Sequence, residues 1–264
     1  MSAIEPIETT VAHTGSDELR FHGRRVFGEL LGHSTVGQML MLGICGRMLA
    51  PEELAMVDDI ITAMSSADPR MWPFKITRLA SACGPAATAV ATSLVAAQGG
   101  MFGPNRMSAS ARWLVELDSS ASTDAEILAV IDRGSEAFGV TYRARDERYE
   151  ALMRQVERRG RHELRFTALC RRAVALARDQ RRLEPHVFVA IAAIALDAGI
   201  DIAAVGSLAT LALFHDALAN AIEGARQQPA ILRELPRDRI DYRGHTPRTS
   251  PRAAAAVGGR SQEQ

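Results

Sequence analysis

The chain has 264 residues, 47% of them hydrophobic, and its 31 basic and 31 acidic side chains cancel. That is enough apolar material for one large core or two modest ones. The balanced charge gives no global field to attract nucleic acid, because the arginines are spread over helices that also carry Glu and Asp. Cys45, Cys83 and Cys170 are an odd, widely spaced set without a Cys-x-x-Cys pair, a pattern of small buried hydrophobes in a reducing cytosol rather than of a disulfide framework or zinc site.

Met1 to Ser16 is polar and acidic, unlike a secretory signal. Val36 to Leu49 is apolar almost all round, which places it inside a helical layer. Ala50-Pro51-Glu52-Glu53 then opens a helix through Ser65, whose apolar stripe is Leu54, Val57, Ile60, Ile61 and Met64. A long Ala-rich segment, Ile76 to Ala97, follows and ends at Gly99-Gly100. Ser108 to Leu117 reads as a short helix, and Ser122-Thr123-Asp124-Ala125-Glu126 caps the next, Ile127 to Ile131. Phe166, Leu169, Cys170, Ala173, Val174 and Ala177 mark one helical face, with Arg171, Arg172 and Arg178 on the other. Arg181 to Pro185 breaks that helix. Two apolar helices, Val187 to Ala198 and Ile202 to Leu213, follow across the turn Asp197–Asp201, each too short to cross a bilayer. Glu223 to Leu235 leads out of the core. With no alternating strand-like runs, the fold class is all-α.

Several segments, taken in order, resemble the citrate synthase superfamily, in particular short citrate synthases and citryl-CoA lyases. Phe21-His22-Gly23 through Glu29-Leu30-Leu31-Gly32, Met41-Leu42-Gly43 and Leu49-Ala50-Pro51 is similar to the opening helices. Ala67-Asp68 stands at an Ala-Asp-His element, and Thr77 to Gly103 matches the long helix and catalytic loop. Phe138 to Tyr149 resembles the Gly-His-x-x-Tyr and Asp-Pro-Arg region, Leu183 to Glu223 the Pro-Asn-Val-Asp segment, and Asp241-Tyr242-Arg243-Gly244 the closing Tyr-Val-Gly. The resemblance implies a multi-helical fold with a large domain and a smaller subdomain. Its expected segments are a disordered 1–18, large-domain parts at 19–104 and 183–245, a small-domain-like 105–182 and a disordered tail at 246–264. It also implies a cytoplasmic homodimer packed through helices with small side chains such as Ala80 to Ala97. The implied ligands are a small-molecule acyl-CoA or a di- or tricarboxylate. No tightly bound cofactor, metal, membrane or nucleic acid is implied; CoA enters as substrate or ligand.

The departures bear on chemistry. In Gln98-Gly99-Gly100-Met101-Phe102-Gly103-Pro104-Asn105-Arg106, Phe102 replaces the histidine that in the family polarises the thioester carbonyl. Val140 falls at the second family histidine and Phe188 at the aspartate that removes the α-proton. Proton abstraction needs a base and enolate formation needs donors; these three side chains supply neither, so citrate synthesis by the family mechanism is not expected. Polar residues remain. Arg143 lies near the family's carboxylate-binding arginine, Arg148 closes an Asp-Pro-Arg-like element with its proline lost, and Asn105 and Arg106 follow the altered loop, so an anion could still be held. The alternative is that these arginines pair with Asp146, Glu147 and Glu150 on solvated helix faces. His186 and His215 stand beside lost positions and are the candidate replacement acid–base groups, against the commoner role of a packed histidine. Two functions follow: a divergent acyl-CoA enzyme making or breaking a carbon–carbon bond with a non-standard residue set, or an inactive relative with a regulatory or structural partner-binding role.

Overall fold

The computed structural model describes residues 7–99, 103–140, 144–227, 236–245 and 250. The chain divides into two compact units, 1–228 and 229–264. In the first, three short antiparallel strands, β1 (Ala12–Thr14), β2 (Leu19–Phe21) and β3 (Arg24–Arg25), form a meander with Ala12 opposite Phe21 and Arg20 opposite Arg25. These strands correct the strand-free reading, and β1 lies within the 1–18 segment. At three residues or fewer they are too short to display an alternation that a sequence pattern can register.

Ten α-helices follow among the described residues: α1 (Val36–Cys45), α2 (Pro51–Met64), α3 (Trp72–Cys83), α4 (Ala86–Ala96), α5 (Pro104–Ser120), α6 (Asp124–Asp132), α7 (Glu147–Arg158), α8 (Arg165–Leu176), α9 (Val187–Asp197) and α10 (Ile202–Gly224). The all-α class holds, with the small meander as its one addition among the described residues. The capping signals do as read: Thr123 accepts the Glu126 N–H and the Glu126 carboxylate returns to the Thr123 N–H, so two otherwise orphaned donors are satisfied.

Three helices differ from their sequence reading. The Ala-rich run is two helices, because Pro85 has no N–H to continue the ladder and holds Gly84 extended at φ −158°. The apolar surface of α1 is not all enclosed within the single chain. Met41 and Leu42 are buried while Val36 is 77% exposed, since a helix apolar on every side carries no periodic signal of which side is covered. α10 runs for 23 residues rather than stopping at Leu213, because the polar residues beyond it, Asp216 and Asn220, find partners inside the fold. Its length and apolar composition are enough to cross a bilayer. Here it packs on α3, α4 and α5 and turns hydrogen-bonded Asp216 and Asn220 inward, the pattern of a core helix.

α9 is the central element. Nine consecutive residues, Val187 to Ala195, are buried, and the helix packs against α5, α7 and α8. Its N-terminus therefore emerges where three other helices converge. The second unit contributes a single 3-10 turn, Arg237–Arg239, and an Arg243–Asp241 ion pair at 2.7 Å among its described residues.

Candidate functional site

The start of α9 is built against the segment that follows α6. The His186 N–H donates to the Ala137 carbonyl at 2.8 Å and the Gly139 N–H to the Glu184 carbonyl at 2.9 Å, so 137–139 and 184–186 run side by side as a short bridge. Arg106, on the first turn of α5, locks this bridge from beneath. Its Nε donates to the Glu136 carbonyl at 2.9 Å, and its Nη2 donates to those of Phe138 at 2.8 Å and Gly139 at 2.7 Å. The side chain is 8% exposed, and burial pulls its guanidinium below its ordinary value.

Asp146 joins this bridge to α7. Its carboxylate caps that helix by accepting the Arg148 N–H, takes a two-point contact from the Arg148 guanidinium (2.8 Å and 2.8 Å), and accepts the buried Val187 N–H at 3.0 Å. Burial pushes its pKa up, but the Arg148 hydrogen bonds and charge and the Val187 N–H outweigh that, and the net direction is down. The proposed anion-holding Arg148 is thus pinned at its base, with 23% of its side chain still open to solvent. This is the local acid–arginine pairing that the sequence left as an alternative.

His186 is the N-cap of α9. Its Nδ1 accepts the Phe188 N–H at 3.3 Å, which places the proton of the neutral ring on Nε2, 4.0 Å from Asp146 Oδ2. Burial first, and the nearby Arg106 charge second, lower its pKa to about 3. At neutral pH it is a hydrogen-bond donor and not a general acid. Phe188 is 1% exposed and tilts against the His186 ring at 4.4 Å between centroids. Val140 follows the bridge, half-buried.

Gly103 sets the start of α5. Its φ is +75°, and a Cβ there would meet the Ala97 carbonyl oxygen at 2.5 Å. Beside it, Asn105 donates through Nδ2 to the Gln98 carbonyl, drawing the chain after α4 against α5. The Phe102 and Arg143 positions lie outside the described residues.

His215 belongs to a different group. Its Nε2 lies 2.7 Å from Ser65 Oγ and 3.2 Å from Asp216 Oδ1. The buried Asp216 carboxylate also accepts the Ser66 N–H at 3.0 Å, and burial raises its pKa. One turn on, Asn220 donates to the Ala67 carbonyl and accepts from Arg78, which also pairs with Glu223 at 2.9 Å. A Ser–His–Asp relay needs the acid on the ring nitrogen opposite the serine, whereas here both face Nε2 and the buried Nδ1 has no partner. Sequence reasoning placed His215 but missed this chain of polar residues tying α10 to the α2–α3 connection. The available signal was Asp216 and Asn220 at i and i+4 in an otherwise apolar helix. His186 and His215 share no hydrogen-bond or ion-pair partner among the described residues. Among the same residues, no three His, Cys, Asp or Glu side chains are grouped to hold a metal.

No protein-family model matches the chain, and no curated protein does. Solved structures do. Citryl-CoA lyase from Hydrogenobacter thermophilus superposes with a TM-score of 0.80 at 19% identity, covering 95% of this chain and 100% of that one. The chain has the citrate synthase-like fold. ATP citrate lyase from Methanothrix soehngenii, solved with citrate and coenzyme A, gives 0.74 at 14% identity over 93% of this chain and 43% of its own. Citrate synthase from Thermoplasma acidophilum gives 0.57 at 13% identity over 84% of this chain and 60% of its own. The citrate synthase-like chain therefore spans the whole of a citryl-CoA lyase but less than half of an ATP citrate lyase chain. Within this citrate synthase-like fold, Arg106, Asp146, Arg148, His186 and Phe188 are gathered from α5, α7 and α9 around the N-terminus of α9.

Proposed function

We propose that the protein binds an acyl-CoA thioester, or the di- or tricarboxylate that reacts with one, beside the N-terminus of α9. In this reading it makes or breaks a carbon–carbon bond next to the thioester carbonyl with a non-standard residue set. The observation that carries the reading is Arg148. Its guanidinium is anchored on one edge by Asp146 yet remains partly open, which is the arrangement of an arginine held ready for a carboxylate. One ATP citrate lyase neighbour was solved with citrate and coenzyme A, another with (3S)-citryl-CoA, and the citrate synthase with carboxymethyl coenzyme A and oxaloacetate, which supports the same ligand class here. We assign Arg143 as a second anion-holding group. Asn105 and Arg106 position the loop and bridge around the ligand, and neutral His186 donates from Nε2 to an oxygen that gains charge. His215, in the separate polar chain on α10, is kept as a candidate acid–base group.

The second reading, a catalytically inactive relative with a regulatory or structural role, is favoured by Phe188. A fully buried phenyl ring stands where the sequence resemblance expects the base, against an imidazole too desolvated to take a proton at neutral pH. Calorimetric titration with CoA, acetyl-CoA, citrate and oxaloacetate, singly and in pairs, tests the ligand binding on which the first reading rests. Saturable binding lost in Arg148→Ala supports the first, while no binding of any of the four refutes it.

The proposed assembly is a cytoplasmic homodimer. Phe214, Leu218 and Ile222 form an exposed apolar stripe at i, i+4 and i+8 on α10, and Trp72, Ile76 and Val95 are also exposed on α3 and α4, which pack on α10. A soluble monomer does not ordinarily leave so much apolar surface in one region. Sedimentation at micromolar concentration tests this, and a monomer there counts against it.

A further inference from the structure

A cavity of about 510 Å³ opens between α7 and α8 and shares no lining residue with the group around α9. It lies within the range of about 300–1,000 Å³ that small-molecule sites occupy. Its floor is Tyr149 and Val174, and Met153, Ala168 and Ala175 add further apolar surface from the two walls. The Arg178 guanidinium, just past the end of α8, pairs with Glu150 on α7 and with Glu184 at 2.9 Å, and lies 5.5 Å over the Tyr149 ring. His162 and Glu163, from the connection between α7 and α8, line the trough as well.

The charges of the lining indicate what a molecule held there carries. Glu150 is neutralised by Arg178, and Glu163 lies 3.5 Å from His162 Nε2. That leaves Arg154 on one wall and Arg171 on the other, both exposed and neither with a hydrogen-bond or ion-pair partner among the described residues. Glu157, one turn from Arg154, is likewise exposed and without a partner among the described residues, so its carboxylate is free to accept a hydrogen bond. The buried Nδ1 of His162 has no partner. Two guanidiniums, one from each helix, match two carboxylates, and the glutamate beside them matches a hydroxyl or ammonium.

We propose that this trough is a second, separate ligand site that takes a small dicarboxylate bearing a hydroxyl or amino group, held between Arg154 and Arg171 with its donor on Glu157. The proposal does not depend on acyl-CoA binding.

The test is titration of the full chain with L-malate, L-aspartate, succinate and L-lysine, followed by calorimetry and by amide shifts of α7 and α8. Saturable binding of malate or aspartate is expected, with lysine inert. Affinity should fall about tenfold in Arg154→Ala or Arg171→Ala, as for the loss of one charge-assisted hydrogen bond. Succinate, lacking the donor, should bind more weakly than malate, and Glu157→Gln should narrow that difference. All three positions are exposed, so the variants should melt with the parent protein, and CoA affinity serves as the independent control. Absence of saturable binding of malate or aspartate at millimolar concentration overturns the proposal. So does binding that survives unchanged in the Arg154→Ala/Arg171→Ala double variant, which would place the ligand elsewhere.

Discussion

Asp146→Ala is the most informative single substitution, because one carboxylate satisfies three groups on two helices. Removing one member of a buried ion pair costs about 3–5 kcal/mol when the partner is left fully dry. Arg148 keeps 23% of its side chain in water and rehydrates in part, which brings that contribution nearer the lower end or below it. The loss of the α7 cap adds about 1 kcal/mol, and the orphaned Val187 N–H, deep at the start of α9, adds about 1–2 kcal/mol. A destabilisation of about 4–6 kcal/mol follows, equivalent to roughly 10–20 °C in melting temperature for a unit of this size. Urea unfolding of the parent, Asp146→Ala and Asp146→Asn measures it. The asparagine can still cap and accept, so it should lose about half as much. Acid dependence provides the second reading. The folded carboxyl is held below its unfolded value, so its contribution is present above about pH 4 and disappears as the pH falls through the folded pKa. Asp146→Asn should remove that portion of the acid sensitivity. A loss under about 1 kcal/mol in Asp146→Ala would refute the view that this residue holds α7 and α9 together.

Other outcomes are expected from the same geometry. Because burial lowers the His186 pKa to about 3 while the unfolded ring titrates near 6.5, the unfolded chain binds the extra proton between these values. Stability should therefore fall with pH below about 6.5, by up to about 1.4 kcal/mol per pH unit from this residue, and His186→Gln should flatten the slope. NMR of the imidazole should show no titration between pH 5 and 8, and a midpoint in that window would contradict the burial argument. Gly103→Ala combines a left-handed φ with a Cβ against the Ala97 carbonyl and should cost about 3 kcal/mol in urea unfolding. Arg106→Lys replaces a fork serving three carbonyls with a single ammonium. It should cost about 2–4 kcal/mol and speed hydrogen exchange at the Gly139 and His186 amides, whereas exchange at the parent's rate would show the bridge stands without it.

The sequence by itself determined the local elements whose cause is local. The α2 stripe, the Thr123–Glu126 cap and the inward face of α8 are written in residues three and four apart, and the structure has them there. The ordered motifs also pointed to the citrate synthase-like fold. Tertiary structure decided what depends on residues far apart in the chain. That Arg106 serves the 136–139 backbone rather than open solvent, that Asp146 reaches Val187 across 41 positions, and that His186 is too dry to carry a proton are facts of packing. So is the extent of α10, which continues through His215, Asp216 and Asn220 because Ser65, Ser66 and Ala67, some 150 residues earlier, offer them partners. Sequence periodicity marks which side of a helix is apolar. What covers that side, and how dry a charge becomes beneath it, is set only when the helices meet, because desolvation and hydrogen-bond satisfaction belong to the assembled neighbourhood and not to the segment.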